Sequence, residues 1–100
     1  AYIPTGSRIG DRVFLGPNAS LTNDKTPLRT EYQLETITVE DDVTVGSNAT
    51  LMPGITVGEG AFIAGGAVVT KDVPAWHIAK GCPAIFEELP ESLKKPNRLG

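Results

Sequence analysis

The chain has 100 residues, a formal net charge of −3 and one cysteine, Cys82. This length suits one small domain, and there is no stripe of Lys and Arg of the kind that binds nucleic acid. No segment is apolar over the length of a membrane span, and the lone cysteine predicts a reducing, cytoplasmic location.

The dominant pattern is an aliphatic residue at every sixth position, in tracts from about Ile3 to Asn23 and from about Thr38 to Pro74. Small or β-branched residues follow four positions later, as at Val43, Ala49 and Ile55. A period of six fits neither an α-helix nor an alternating strand. It predicts an all-β fold, a parallel β-helix with three short strands and three tight corners in each turn of a triangular prism. The aliphatic positions are Ile3, Ile9, Leu15, Leu21, Val39, Val45, Leu51, Val57, Ile63 and Val69.

Residues 24–37 interrupt the period, because Pro27 and Gln33 stand where aliphatic residues would fall. The polar content of this segment predicts a loop extruded from one coil. Long loops inside a compact repeat often carry function, although a tolerated surface insertion is the alternative.

The repeat ends after Pro74, and residues 75–100 are predicted to form a C-terminal cap over the open coil end. Within the cap we expect an irregular strand over 75–84 that folds back across the prism. A short helix is expected from Phe86 to Lys95, with Pro90 in its first turn. At the other end we expect either further coils before Ala1 or a neighbouring chain to cover the first coil.

Two segments resemble a known family. Residues 58–74 end in VVTKDVP and are followed by Gly81-Cys82-Pro83-Ala84, which resembles the closing signature of hexapeptide-repeat acyltransferases. Residues 21–27 read LTNDKTP, similar to the FTND-x-x-P segment of N-acetyltransferases that act on nucleotide-linked 3-amino sugars. The resemblance implies a left-handed β-helix, a homotrimer, an amino-sugar acceptor, and acetyl-CoA as co-substrate with no metal.

The resemblance also implies roles for individual residues. Acetyl-CoA would lie in the groove between neighbouring prisms, with its pantetheine arm against Ala64, Gly65, Gly66 and Ala67 and its phosphates near Lys71 and Lys80. A backbone amide from residues 64–66 would face the thioester oxygen. Asn23 would orient the sugar or its amine, and Asp24 would hold the amine or accept its proton. Ordinary corner glycines, solvated lysines and turn residues remain the alternatives.

The sequence lacks a histidine within the repeats. Its one histidine, His77, lies in the predicted cap, and one histidine cannot supply the three that a γ-class carbonic anhydrase uses to bind zinc. A hydroxyl acceptor needs a general base to react at a useful rate. A neutral amine attacks a thioester without one, provided that it is positioned and the oxyanion is stabilised. The sequence therefore favours N-acylation. An O-acetyltransferase of the same superfamily, or a non-catalytic scaffold, is the alternative.

Overall fold

The computed structural model describes residues 6–21 and 36–97. Within these ranges the chain forms short β-strands and a single 3-10 turn, Glu91–Leu93. The strands are β1 (Arg8–Ile9), β2 (Phe14–Leu15), β3 (Ser20–Leu21), β4 (Thr38–Val39), β5 (Thr44–Val45), β6 (Thr50–Leu51), β7 (Thr56–Val57), β8 (Phe62–Ile63), β9 (Val68–Val69), β10 (His77–Gly81) and β11 (Ala84–Glu88). No helix in the described ranges is long and apolar enough to cross a membrane.

The strands stack into three sheets that form the sides of a prism. Sheet 1 is β1-β4-β7, sheet 2 is β2-β5-β8-β10-β11 and sheet 3 is β3-β6-β9. Coil 1 comprises β1–β3, coil 2 comprises β4–β6 and coil 3 comprises β7–β9, and strands of successive coils pair in parallel. Each coil turns at a first corner between sheets 1 and 2 and at a second between sheets 2 and 3, and coil 2 returns to sheet 1 through a third.

The interior of the prism is filled by the residues that the period of six identified. In Thr44–Val45 and Thr56–Val57, for example, the threonine is half-buried and the valine has no exposed surface. Burying this apolar surface is the main favourable term in folding. The aliphatic positions of the period that are buried are Leu21, Val39, Val45, Leu51, Val57, Ile63 and Val69. The small or β-branched positions that are buried are Ala19, Val43, Ala49, Ile55, Ala61, Ala67 and Val73. The prediction of a repeat core is confirmed for these positions, whereas Ile9, in β1 of the first coil, is 38% exposed.

The connection between coils 1 and 2 is longer than the one that follows. Thr38 pairs with Thr56, 18 residues on, whereas Arg8 pairs with Thr38, 30 residues on, so 12 additional residues lie in the earlier connection. Most of the predicted loop, residues 24–35, lies outside the described ranges. Ile37, which we placed at its end, is wholly buried, and its carbonyl accepts a hydrogen bond from Arg8 N–H at 2.9 Å. Coil 2 has therefore begun by Ile37.

The C-terminal cap is a β-hairpin, and the predicted helix from Phe86 to Lys95 is wrong. Strand β10 extends sheet 2 in parallel with β8, and β11 returns antiparallel along its free edge. Phe86 lies in β11, so only the turn Glu91–Leu93 is helical, with Pro90 at its N-cap. Pairing of β11 satisfies the unpaired backbone groups of β10, and that tertiary requirement outweighs the local helix preference.

Candidate functional site

The second corner begins with a glycine in coils 1 and 2 and with an alanine in coil 3. Coil 1 contributes Gly16, coil 2 contributes Gly46 and coil 3 contributes residues 64–67. A Cβ on Gly16 would lie 2.7 Å from the Ser47 nitrogen, and one on Gly46 would lie 2.5 Å from the Gly65 nitrogen. Only residues without a side chain permit coils to stack this closely. The backbones of successive coils therefore lie in close contact at this corner.

Residues Ala64 to Ala67 form this corner in coil 3. Gly65 and Gly66 are exposed, and a Cβ on Gly66 would meet no atom within 4 Å. A Cβ on Gly65 would lie 3.3 Å from the Ser47 carbonyl oxygen. The corner therefore presents open backbone to the surroundings, as contact with a thin, flexible ligand arm requires.

The backbone amides of this corner differ in their partners. Ala64 N–H donates to Ala79 O at 2.9 Å, Gly66 N–H donates to Ser47 O at 2.9 Å, and Ala67 N–H donates to Ala64 O at 3.1 Å. Gly65 N–H donates to no acceptor in the described part of the chain. Of the amides that the sequence suggested as oxyanion donors, the one on Gly65 is available.

The two predicted phosphate-binding lysines lie in different surroundings. Lys71 lines a cavity of about 500 Å³ at the capped end of the prism, together with Thr70 and residues 83–86. Lys80 lies in β10 and lines a second cavity of about 330 Å³ with Phe62 and Ile78. Its ammonium group pairs with Glu87 at 3.1 Å. Lys71 therefore offers a cation without an ion-pair partner in the described ranges, whereas the charge of Lys80 is already compensated.

The remaining candidates are placed as follows. Asn23 and Asp24 lie outside the described residues. His77 is half-buried at the start of β10, with Nδ1 2.9 Å from Ala75 O. The carbonyl of Ala79, farther along the same strand, contacts Ala64, so His77 lies at the end of β10 away from the second corner. Cys82 is an exposed free thiol in the hairpin turn.

A buried carboxylate at the first corner was not foreseen from the sequence. Asp42 is the one charged residue in the described core, and its carboxylate accepts hydrogen bonds from the Arg12 guanidinium and from Asn97 N–H. Arg12 lowers the pKa of Asp42, partly opposed by burial, and the Asn97 amide lowers it further. Its position in the sequence gave no signal, because the inserted loop hides which residues of coils 1 and 2 are neighbours.

Comparison with known proteins identifies the repeat. The family model described as bacterial transferase hexapeptide (six repeats) matches residues 36–71, which include coils 2 and 3. Residues 36–71 of this chain are therefore hexapeptide repeats. Solved structures that share its fold include hexapeptide-repeat acetyltransferases, and the prism is a left-handed β-helix, as expected.

Two curated relatives illustrate the match. A Schizosaccharomyces pombe protein assigned as an acetyltransferase is 42% identical over 83 aligned residues, covering 76% of this hexapeptide-repeat chain and 40% of that protein. The 2,3,4,5-tetrahydropyridine-2,6-dicarboxylate N-acetyltransferase of Staphylococcus aureus is 50% identical over 48 residues, covering 48% of this chain and 20% of that enzyme. The chain thus spans less than half the length of these relatives.

Three solved structures share the fold. A hexapeptide-repeat acetyltransferase from Vibrio cholerae, complexed with acetyl-CoA, is 31% identical with a TM-score of 0.74 over 83% of this chain and 49% of that one. A maltose O-acetyltransferase from Clostridium difficile is 33% identical, with a TM-score of 0.73 over 84% and 48%. PerB from Caulobacter crescentus, complexed with CoA and GDP-perosamine, is 26% identical, with a TM-score of 0.65 over 81% and 33%. Both N- and O-acetyltransferases are therefore among the similar proteins.

Proposed function

We propose that this chain is the β-helix of an acetyl-CoA-dependent N-acetyltransferase that acts on the amine of a nucleotide-linked amino sugar. The observation that carries the proposal is the exposed second corner of coil 3, where Gly65 N–H has no acceptor in the described ranges and Gly66 is open to its surroundings. A solved relative with the same fold is complexed with acetyl-CoA, which supports this ligand.

The residues of the corner suit a pantetheine thioester. Ala64, Gly65, Gly66 and Ala67 leave room for the arm, and the thioester oxygen would accept a hydrogen bond from Gly65 N–H. As an amine attacks the thioester carbonyl carbon, negative charge develops on that oxygen before the carbon–sulfur bond breaks. A preorganised amide donor stabilises this charge at no reorganisation cost. The leaving thiolate of CoA takes up a proton.

The phosphates of acetyl-CoA need cations. Lys71 is the first candidate to bind them, because it has no ion-pair partner in the described ranges. Its cavity of about 500 Å³ includes the hairpin turn at Pro83. Charge-assisted hydrogen bonds from an ammonium group to phosphate are stronger than neutral ones. Lys80 is the second candidate, although Glu87 already compensates its charge.

The position of His77 favours an amine over a hydroxyl acceptor. From His77 to Gly81, strand β10 spans roughly 13 Å at about 3.3 Å per residue. His77 begins this strand, and the second corner adjoins the opposite end. A hydroxyl acceptor bound at the corner would therefore lack a histidine base from this chain, whereas a neutral amine needs only positioning.

For the acceptor we propose the two residues that the sequence identified at the start of the inserted segment. Asn23 would orient the sugar or its amine, and Asp24 would accept the proton that the amine loses. PerB, complexed with GDP-perosamine, provides a related example of nucleotide-sugar binding on this fold.

We further propose a cytoplasmic homotrimer, with acetyl-CoA bound between neighbouring prisms. Phe14 is 50% exposed and Phe62 38% exposed, and both project from sheet 2 on either side of Thr44. Apolar side chains aligned on one face are typical of an interaction surface. The exposed free thiol of Cys82 is compatible with a reducing compartment.

The test has two steps. Isothermal titration with acetyl-CoA should give saturable binding near one site per chain, since a scaffold would not bind it. Release of free thiol is then measured with nucleotide-linked amino sugars and with their hydroxyl counterparts. Turnover with the amine alone supports the proposal. Turnover with the hydroxyl sugar would instead establish an O-acetyltransferase, and a folded sample that binds no acetyl-CoA would exclude catalysis by this chain.

A further inference from the structure

The C-terminal segment, residues 89–97, runs along the outer face of sheet 2 from the cap towards coil 1. Its first residue, Leu89, follows β11 and is buried at the capped end. Its last residue, Asn97, contacts coils 1 and 2. Between these ends the segment passes Phe62 of β8 and Thr44 of β5, which line one cavity together with Leu89 and Asn97. The segment therefore crosses successive coils of the prism.

Asn97 lies in a socket that pairs every polar group of its side chain. Its Nδ2 donates to Arg12 O at 2.7 Å and to Val43 O at 3.2 Å, and its Oδ1 accepts from the Thr44 hydroxyl at 3.3 Å. Its backbone N–H donates to the buried Asp42 carboxylate at 3.0 Å. Asparagine carries two N–H donors and a carbonyl acceptor on one short side chain, so its chemistry matches this socket.

Between its two ends the segment makes only local hydrogen bonds. Lys94 N–H donates to Glu91 O at 3.1 Å, and the Lys94 ammonium group pairs with Glu88 and Glu91. Apart from Lys94, every residue from 90 to 96 is exposed. In the described part of the chain, none of these residues has a hydrogen bond to a coil. Asn97 therefore provides the hydrogen bonds that attach this segment to the coils.

Packing beneath the segment is incomplete. Two cavities, of about 180 and about 330 Å³, both border Phe62, Leu89 and Leu93. Leu93 is 52% exposed, so its contact with the prism buries only part of its side chain. A segment of exposed residues with few buried apolar contacts opens at a much lower free energy than the whole domain unfolds.

We infer that residues 90–97 form a strap that opens and closes over the outer face of sheet 2, with Asn97 as its latch. Leu89 holds the fixed end of the strap in the core, and release of Asn97 frees the other end. Opening uncovers Thr44 and Phe62 and joins the two cavities, so the latch controls access to this face while the prism stays folded. The inference goes beyond the proposed function and does not depend on binding of acetyl-CoA.

Limited digestion of the full chain by trypsin, with the products identified by mass spectrometry, tests the strap. The bond after Lys94 lies in the strap, whereas the bond after Lys80 lies inside β10. Cleavage follows the population of the open form when opening is faster than cleavage. The wild-type chain should be cut after Lys94 while the bond after Lys80 is intact. Asn97→Ala removes three side-chain hydrogen bonds, so it should raise the rate of cleavage after Lys94 about tenfold or more and leave the bond after Lys80 intact.

Ser92→Ala is the matched control, because Ser92 is exposed in the same strap and its side chain has no hydrogen bond in the described ranges. We expect its rate of cleavage after Lys94 to stay within about twofold of wild type. Equal rates for Asn97→Ala and Ser92→Ala would show that Asn97 does not hold the strap closed. Simultaneous loss of the bonds after Lys94 and Lys80 would show that the strap opens only when the prism unfolds. Either result would overturn the inference.

Discussion

Asp42 and Arg12 lie one above the other at the first corner and join coil 2 to coil 1. Arg12 Nε donates to Asp42 Oδ1 at 2.7 Å and Nη2 donates to Oδ2 at 3.0 Å. The Asp42 side chain is 2% exposed, whereas that of Arg12 is 47% exposed. Asn97 N–H donates to the same carboxylate at 3.0 Å, and its side-chain Nδ2 donates to Arg12 O at 2.7 Å. One buried carboxylate therefore connects two coils and the C-terminal segment.

Asp42→Asn should lower the melting temperature at neutral pH, because it removes the charge that pairs with Arg12. Asparagine adopts positive φ readily, as Asn18 and Asn48 do at the second corner. The substitution therefore adds no backbone strain to the difference in stability between wild type and variant. The hydrogen bond from Arg12 lowers the pKa of Asp42 below its ordinary value. Its stabilisation is therefore present above the unfolded pKa of about 3.9 and is lost as the pH falls through the folded pKa.

Thermal unfolding from pH 7 down to pH 2 checks this prediction. The difference in melting temperature between wild type and Asp42→Asn should be largest near neutrality and should shrink below about pH 4. Glu59→Gln, which removes an exposed carboxylate from the same corner, is the control. Equal effects of the two substitutions at pH 7 would show that the Arg12 pair contributes nothing specific.

Gly60 and Gly66 offer a matched test of corner packing. Both have positive φ, 70° and 75°, but a Cβ on Gly60 would overlap the Trp76 ring, whereas one on Gly66 would meet nothing within 4 Å. Gly66→Ala should cost about 1–2 kcal/mol for the left-handed conformation. Gly60→Ala should cost roughly 2–5 kcal/mol, because overpacking adds to the same backbone term.

Denaturant unfolding followed by fluorescence measures both variants. Trp76 is the one tryptophan of the sequence, so the Gly60→Ala variant should also shift the native emission. Gly66→Ala should leave the emission unchanged. If the two variants lose equal stability with the same spectrum, the close contact between Gly60 and Trp76 does not exist in solution.

The parts of the fold that follow from local periodicity could be predicted, and the parts that depend on tertiary pairing could not. Val45 and Ile63 were identifiable as core because inward positions recur every six residues, and both are wholly buried. Phe86 was assigned to a helix because the sequence does not reveal the free edge of β10. The contact of Arg12 with Asp42 was hidden for a similar reason, since the inserted segment changes the register step between coils 1 and 2 from 18 to 30 residues.

The exposure of the predicted corner could also be anticipated from the sequence. The open corner at Gly65 and Gly66 followed from small residues at a predicted corner, and the structure places both at the surface. The two lysines looked equivalent in the sequence. Only the antiparallel hairpin brings Glu87 next to Lys80 and leaves Lys71 without an ion-pair partner in the described ranges.

Lys71→Gln should weaken CoA binding about tenfold, because it removes a charge-assisted contact to phosphate. Lys80→Gln should weaken binding less than about threefold, since an exposed ion pair with Glu87 already compensates this lysine. Isothermal titration measures both constants, and Lys95→Gln, at another exposed lysine, controls for the loss of one positive charge. If Lys80→Gln weakens CoA binding more than Lys71→Gln does, the phosphates bind beside Lys80 on sheet 2.

Gly65→Pro should lower kcat about 10²-fold or more, because it deletes the N–H that we assign to the thioester oxygen. Proline occurs at the equivalent position of coil 1, since the register of β2, β5 and β8 aligns Pro17 with Gly65. Gly65→Ala retains the N–H, and its Cβ would lie 3.3 Å from Ser47 O, so a small adjustment accommodates it. We expect Gly65→Ala to keep kcat within a few-fold of wild type, and the KM for acetyl-CoA to change little in either variant.

Initial rates of thiol release, with circular dichroism to verify folding, separate the two substitutions. If the proline and alanine variants turn over equally fast, the oxyanion is stabilised by a group other than Gly65 N–H.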